Sequence, residues 1–130
     1  MLISLSTGCL FHLPLPKICS LAAEAGFDGI ELIVNRVFQN IDSAKLIASL
    51  QEITTIHSIH APFMQLDGWG QQMDSLKSCV KLAADRGIPL VNFHPPSWMG
   101  FEVGFWRWLY SVRDFQKEVG LPAYSFSSMR

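Results

Sequence analysis

Residues 87–98 read GIPLVNFHPPSW. Gly87 is placed to take a left-handed conformation and stop a helix. Pro89 then prevents the helix from resuming and is tolerated at the start of a strand. Leu90, Val91 and Phe93 read as a strand, which ends at His94 and two prolines. A histidine at the end of an apolar strand needs partners for its ring nitrogens.

The same form occurs at AGFDGIEL (25–32) and VGLPAYSF (119–126), where Gly26 and Gly120 take the helix-stopping place of Gly87. Between these segments lie helical stripes. Ile18, Leu21, Ala22 and Ala25 form one, with Pro16 suited to a first helical position. Leu46, Ile47 and Leu50 form the second, capped by Asp42 or Ser43. Met73, Leu76, Val80 and Ala83 form the third. Phe105, Trp108, Leu109, Val112, Phe115 and Val119 form the fourth and read as core.

Five strands are predicted: Leu2–Ser6, Gly29–Ile33, Thr55–His60, Leu90–His94 and Ala123–Ser127. They start roughly 26 to 35 residues apart, as in repeated parallel βαβ units. Each is nearly continuous in apolar character, as expected of strands covered on both faces. Two architectures fit this order. One is an open doubly wound sheet. The other is part of a (β/α)8 barrel, which needs about 250 residues when whole.

Composition narrows the class. The 130 residues are 49% hydrophobic and 16% charged, which suits one well-buried domain and argues against disorder. Net charge is −1 and no basic run stands out, so the electrostatic footprint of a nucleic-acid-binding surface is not expected. Cys9, Cys19 and Cys79 have unrelated spacings and read as reduced thiols of a cytoplasmic protein. The apolar start MLISLSTGCLF lacks a basic segment, and no apolar run is long enough to span a bilayer. No phosphate-binding glycine loop follows the first strand, which leaves nucleotide binding unsupported.

In either architecture ligands bind at the carboxyl ends of the strands. Glu31 lies on the second, His60 ends the third and His94 the fourth. His12 and Asp67 follow in loops. Imidazole with carboxylate is a donor set for a divalent metal. His57 has the strand parity opposite to His60 and is expected to face the helices. Trp69 and Trp98 either stack on a sugar ring or cap the rim.

The runs IHSIHAPF (56–63) and LVNFHPPSW (90–98) resemble the third and fourth strand ends of the xylose isomerase-like TIM barrels. That superfamily includes sugar and sugar-phosphate isomerases and epimerases, and endonuclease IV-like AP endonucleases. AGFDGIEL is similar to its second strand, and residues 74–96 to its third helix and fourth strand.

The resemblance implies an α/β fold: the N-terminal portion of a (β/α)8 barrel, about five parallel strands and four helices, one partial domain over 1–130. It implies His60 and His94 as ligands of zinc, manganese or magnesium. Glu31 would be the catalytic carboxylate; apart from the resemblance, the loop positions of His12, Trp69 and Trp98 make them the candidate substrate contacts. The implied activity is metal-dependent isomerisation or epimerisation of a small sugar or sugar phosphate by proton transfer next to a carbonyl. One alternative is a metal-dependent phosphodiesterase acting on abasic DNA.

The family's fifth strand ends in a glutamate–asparagine pair, whereas here Ser127 and Ser128 stand at that place and the chain stops at Arg130. The expectation is therefore a chain truncated after the fifth strand. A further alternative is a non-catalytic fragment that self-associates, or pairs with a complementary chain, through open sheet edges.

Overall fold

The computed structural model describes residues 1–94 and 102–119. Four parallel strands alternate with helices: β1 Ser4–Ser6, α1 Leu15–Glu24, β2 Gly29–Ile33, α2 Ser43–Gln51, β3 Ile56–His60, α3 Gln72–Asp85, β4 Leu90–Asn92 and α4 Glu102–Val119. Single 3₁₀ turns follow β1 at Thr7–Leu10 and β2 at Arg36–Phe38. The chain is thus α/β, and the described sheet has four strands, not five. The fifth predicted strand, 123–127, lies outside the described residues.

The local signals act as their chemistry requires. Gly26 and Gly87 both take positive φ, +81° and +65°, just past the ends of α1 and α3. Asp42 caps α2 by accepting the Lys45 amide at 3.1 Å. Pro14 caps α1, which leaves Pro16 at the second helical position instead of the first. The carboxyl ends of α2 and α3 are clasped together. Arg86 donates Nε and Nη2 to Gln51 Oε1 at 3.1 and 2.9 Å, and Gln51 Nε2 donates to the Arg86 carbonyl at 2.9 Å.

Three strands are shorter than expected, β3 only by Thr55. Leu2 and Ile3 are exposed, and β1 begins only at Ser4. The Ile3 amide goes to the Asp28 carboxylate at 2.7 Å, and Ile3 carbonyl accepts the Asp28 amide at 2.9 Å. A side chain replaces the ladder partner there. β4 stops at Asn92, two residues before His94.

The strand order is β1-β2-β3-β4, every pair parallel. A doubly wound sheet reverses its order partway along. This order has no reversal, so right-handed crossovers lay successive helices on one face. The core agrees. Ile30, Leu32, Ile59 and Val91 from the sheet are buried with Ile18 and Ala22 of α1, Ile47 and Leu50 of α2, Val80 and Ala83 of α3, and Val112 of α4. Leu5 and Phe115 pack against this cluster at its edge.

The other face carries Ser4, Ser6, Gly29, Glu31, Ile33, Ser58, His60, Leu90 and Asn92. Register is regular except at one place: Ile30 pairs with Ile56, but Glu31 pairs with Ser58. The extra residue is His57. This bulge puts two successive residues on one face. His57 Nδ1 lies 2.6 Å from Ser4 Oγ, and its ring lies against Gly29. The expectation that His57 faces the helices is therefore overturned, because strict alternation fails at the bulge. Gly29 is required by the same crowding: a Cβ there would lie 2.5 Å from the Thr55 carbonyl oxygen and 2.9 Å from the His57 ring.

Candidate functional site

The open face becomes most polar at the carboxyl ends of β2, β3 and β4. Ile33, His60 and Asn92 stand in one cross-strand row, with Glu31 and Ser58 in the row beneath. Strands two apart are separated by about 9.6 Å. Side chains from β2 and β4 therefore meet only if both reach across β3. Glu31 and Asn92 do so: Asn92 Nδ2 donates to Glu31 Oε1 at 2.8 Å. One carboxylate oxygen is thus held, and the carboxylate is fixed over the middle of the site.

His60 is buried, with its Nδ1 2.8 Å from the carbonyl oxygen of Ala61. A carbonyl only accepts, so Nδ1 carries a proton, and Nε2 is the nitrogen whose lone pair a metal could use. The His94 ring lies 5.0 Å from that of His60, centroid to centroid, tilted by 44°. Phe63 lies against both, 4.6 Å from His60 and 4.7 Å from His94. His94 Nε2 is buried and has no hydrogen-bond partner among the described residues. The His94 carbonyl accepts from Gln72 Nε2 at 3.1 Å, which ties the end of β4 to the start of α3.

The sequence-predicted residues are thus distributed unevenly. His60 and His94 come together, as their matching strand-end positions suggested. Glu31 lies on the same face. His12 is exposed, its ring edge-on to the adjacent Phe11 at 5.9 Å, and no described contact joins it to the histidine pair. Asp67 is exposed in the loop after β3. Trp69 is half-buried, edge-on to Phe38, and donates Nε1 to the Phe38 carbonyl at 3.2 Å. It ties the loop after β3 to the turn after β2. Trp98 lies outside the described residues, as do Ser127 and Ser128.

Asn92 and Phe63 were not singled out by sequence. Asn92 had a signal: it is the one polar residue within LVNF, two positions before His94 and so on the same face. Phe63 had none, because a loop phenylalanine three residues past His60 gives no hint of which ring it meets.

The donor set suits a divalent metal in part. His94 offers an unpartnered buried nitrogen, and His60 offers Nε2 with its Nδ1 held in place. Among the described residues, however, no group of three or more His, Cys, Asp or Glu side chains is clustered tightly enough to enclose an ion. The two imidazoles are then a partial set that needs further donors. No helix of the described residues is long and apolar enough to cross a membrane.

No family model matches the chain. It is similar to an uncharacterized protein of Mycobacterium leprae (strain TN), 31% identical over 99 residues, which is 72% of this chain. Those residues are 35% of the relative, so the chain spans about a third of that protein's length.

Proposed function

We propose that this chain is the amino-terminal portion of a xylose isomerase-like (β/α)8 barrel. Its site serves metal-dependent isomerisation or epimerisation of a small sugar or sugar phosphate. The observation that carries this reading is the meeting of His60 and His94 at the carboxyl ends of adjacent parallel strands, with His94 Nε2 buried and unpartnered. The unreversed strand order and the one-sided helix layer support the barrel. So does a relative close to three times as long as the matched stretch, which leaves room for the remaining strands.

In this reading His60 and His94 hold a divalent metal through their Nε2 atoms. Two nitrogen donors favour zinc or manganese over magnesium, which prefers oxygen. When bound, the metal supplies positive charge beside the substrate oxygen on which negative charge develops. Glu31 is the carboxylate that takes the proton from the carbon next to the carbonyl and returns it. Asn92 occupies one Glu31 oxygen and leaves the other for the substrate proton, so it orients the base without reacting. Phe63 and Ile33 bound the site with apolar surface and help to exclude water.

The test is metal content of the purified chain, read beside a His60→Ala/His94→Ala double variant. The expected result is zinc or manganese bound by the wild type and lost from the variant. Solvent deuterium exchange into a panel of aldoses, ketoses and their phosphates should depend on Glu31 and be abolished by Glu31→Gln. A wild type that binds no metal at micromolar excess and exchanges no substrate proton would defeat the reading.

A second reading has its own observation. Among the described residues β1 pairs only with β2, and β4 only with β3, so each has one unpaired edge. We infer that such edges suit a complementary chain or a second copy. Sedimentation analysis should then show a concentration-dependent assembly, and a monomer at all concentrations would remove this reading.

A further inference from the structure

The amino ends of the strands hold a second pair of polar side chains, away from His60 and His94. His57 sits at the bulge of β3 and turns its ring across β2 toward β1. Its Nδ1 lies 2.6 Å from the hydroxyl oxygen of Ser4, the first residue of β1. Strands β1 and β3 lie two spacings apart, about 9.6 Å, and the ring bridges them because β2 has Gly29 in between. A Cβ at Gly29 would lie 3.0 Å from Nδ1 itself.

Three features bear on what this pair can do. Ser4 is exposed, so a reagent can reach its hydroxyl. No other described residue hydrogen-bonds the His57 ring, so no second partner keeps Nδ1 protonated, and this nitrogen can accept the Ser4 proton. The Ile3 amide and carbonyl both turn to Asp28, on the β2 side. Successive residues of a strand alternate in direction, so the Ser4 amide turns to the outer edge, which no described strand pairs. An accessible hydroxyl, an imidazole and a free amide donor thus meet at one residue.

We propose that Ser4 is a nucleophile activated by His57, and that the pair takes acyl groups from small carboxylic esters. This site is independent of the metal reading above. His57 Nδ1 removes the hydroxyl proton as Ser4 Oγ attacks the ester carbonyl carbon. The Oγ–acyl bond forms, the bond to the leaving alkoxide breaks, and the imidazolium returns its proton to that oxygen. Water then attacks the acyl group with His57 again as base, which frees the acid and restores the Ser4 hydroxyl. The Ser4 amide is a donor for the negative oxygen formed in each attack.

The probe is p-nitrophenyl acetate, with acid quenching and tandem mass spectrometry to locate acetyl on each residue. The reference is Ser49, an exposed serine whose hydroxyl donates to the Leu46 carbonyl instead of an imidazole. Ser4 should be acetylated about a hundredfold faster than Ser49, the gain ordinary for a positioned general base. Equal rates would overturn the proposal. His57→Asn keeps a polar atom near the place of Nδ1 but supplies no base, and should lower the Ser4 rate to that of Ser49. An unchanged Ser4 rate in this variant would mean that exposure alone makes the hydroxyl reactive, and would overturn the proposal as well.

Should the bulge not survive His57→Asn, the decision passes to Ser4→Cys, a nearly isosteric change at an exposed position. Its thiol, beside the imidazole, should react with iodoacetamide about tenfold faster than exposed Cys9. A rate no greater than that of Cys9 would leave His57 as a structural link between β1 and β3 and remove the activity.

Discussion

The two faces of this sheet are built from the same strands and obey opposite rules. Leu32, Ile59 and Val91 stand side by side on the helix face, each at most 1% exposed. One residue further along, Ile33, His60 and Asn92 form a row on the open face, two of the three polar. Side chains alternate with period two, so a slip of one residue would bury His60 under the helices and expose Ile59. The apolar row therefore fixes which residues the polar face presents. The candidate site inherits its geometry from a core it does not touch.

The sharpest way to break this comparison is to cut one residue from each face of β3. Ile59→Ala removes a fully buried side chain and is expected to cost about 2–5 kcal/mol in a urea unfolding experiment. Ser58→Ala, its neighbour on the other face, should cost less than about 1 kcal/mol. Equal losses would mean that this face carries as much of the stability as the helix face.

The next effect concerns the bulge. Gly29→Ala brings a Cβ against the Thr55 carbonyl and the His57 ring, and should destabilise by about 1–3 kcal/mol. The double change Gly29→Ala/His57→Ala relieves the side-chain part of the clash. It should recover part of the loss, and no recovery would move His57 off this face.

How far these faces could be read from sequence depended on what each one reports. β2 was legible to the residue, since Gly26 stops the helix before it, Gly29 opens it, and Ile30, Leu32 and Ile33 stand on either side of Glu31. The helix stripes were legible in most positions: Ile18, Ala22, Ile47, Leu50, Leu76, Val80 and Ala83 are buried, Leu21, Leu46 and Met73 are half-buried, and Ala25, at the C-cap of α1, is exposed. Burial on one helix face leaves a periodic trace, and the open face leaves almost none. His57 was misplaced because a bulge adds one residue without any change in composition. The Glu31–Asn92 hydrogen bond joins residues 61 apart in sequence, across an intervening strand, and no local pattern encodes such a reach. The strand order was also open, because βαβ repeats suit both doubly wound and singly wound sheets, and chain length alone favoured the doubly wound one.

Asn92 tests the open face on its own terms, with a smaller effect. Asn92→Ala frees the Glu31 carboxylate and should cost about 1 kcal/mol of stability, the net worth of one such hydrogen bond. Its effect on the proposed proton exchange should be larger than its effect on folding, because an unheld carboxylate samples many positions. Asn92→Ser, with a hydroxyl too short to span β3, should behave like the alanine variant. Full exchange activity in both would show that Glu31 needs no partner.

The smallest effect belongs to the helix face and is read in its thiols. Cys9 is exposed, while Cys19 on α1 and Cys79 on α3 are buried. A thiol reagent should therefore titrate one group quickly in the native chain and the other two only as it opens. Burial raises the Cys19 thiol above its ordinary value, partly offset by a backbone hydrogen bond, and pushes the Cys79 thiol up to about 12 from 9.0. For a group raised in the folded state, the stabilisation is complete below the unfolded value and is lost as pH climbs through the folded one. Above pH 9 the unfolded chain ionises its thiols first and gains on the folded one. Unfolding midpoints in urea should thus fall between pH 9 and pH 11, and less steeply in Cys79→Ala than in the wild type. Parallel curves for the two proteins would mean that Cys79 meets water in the folded chain, and that the helix layer is not sealed over α3.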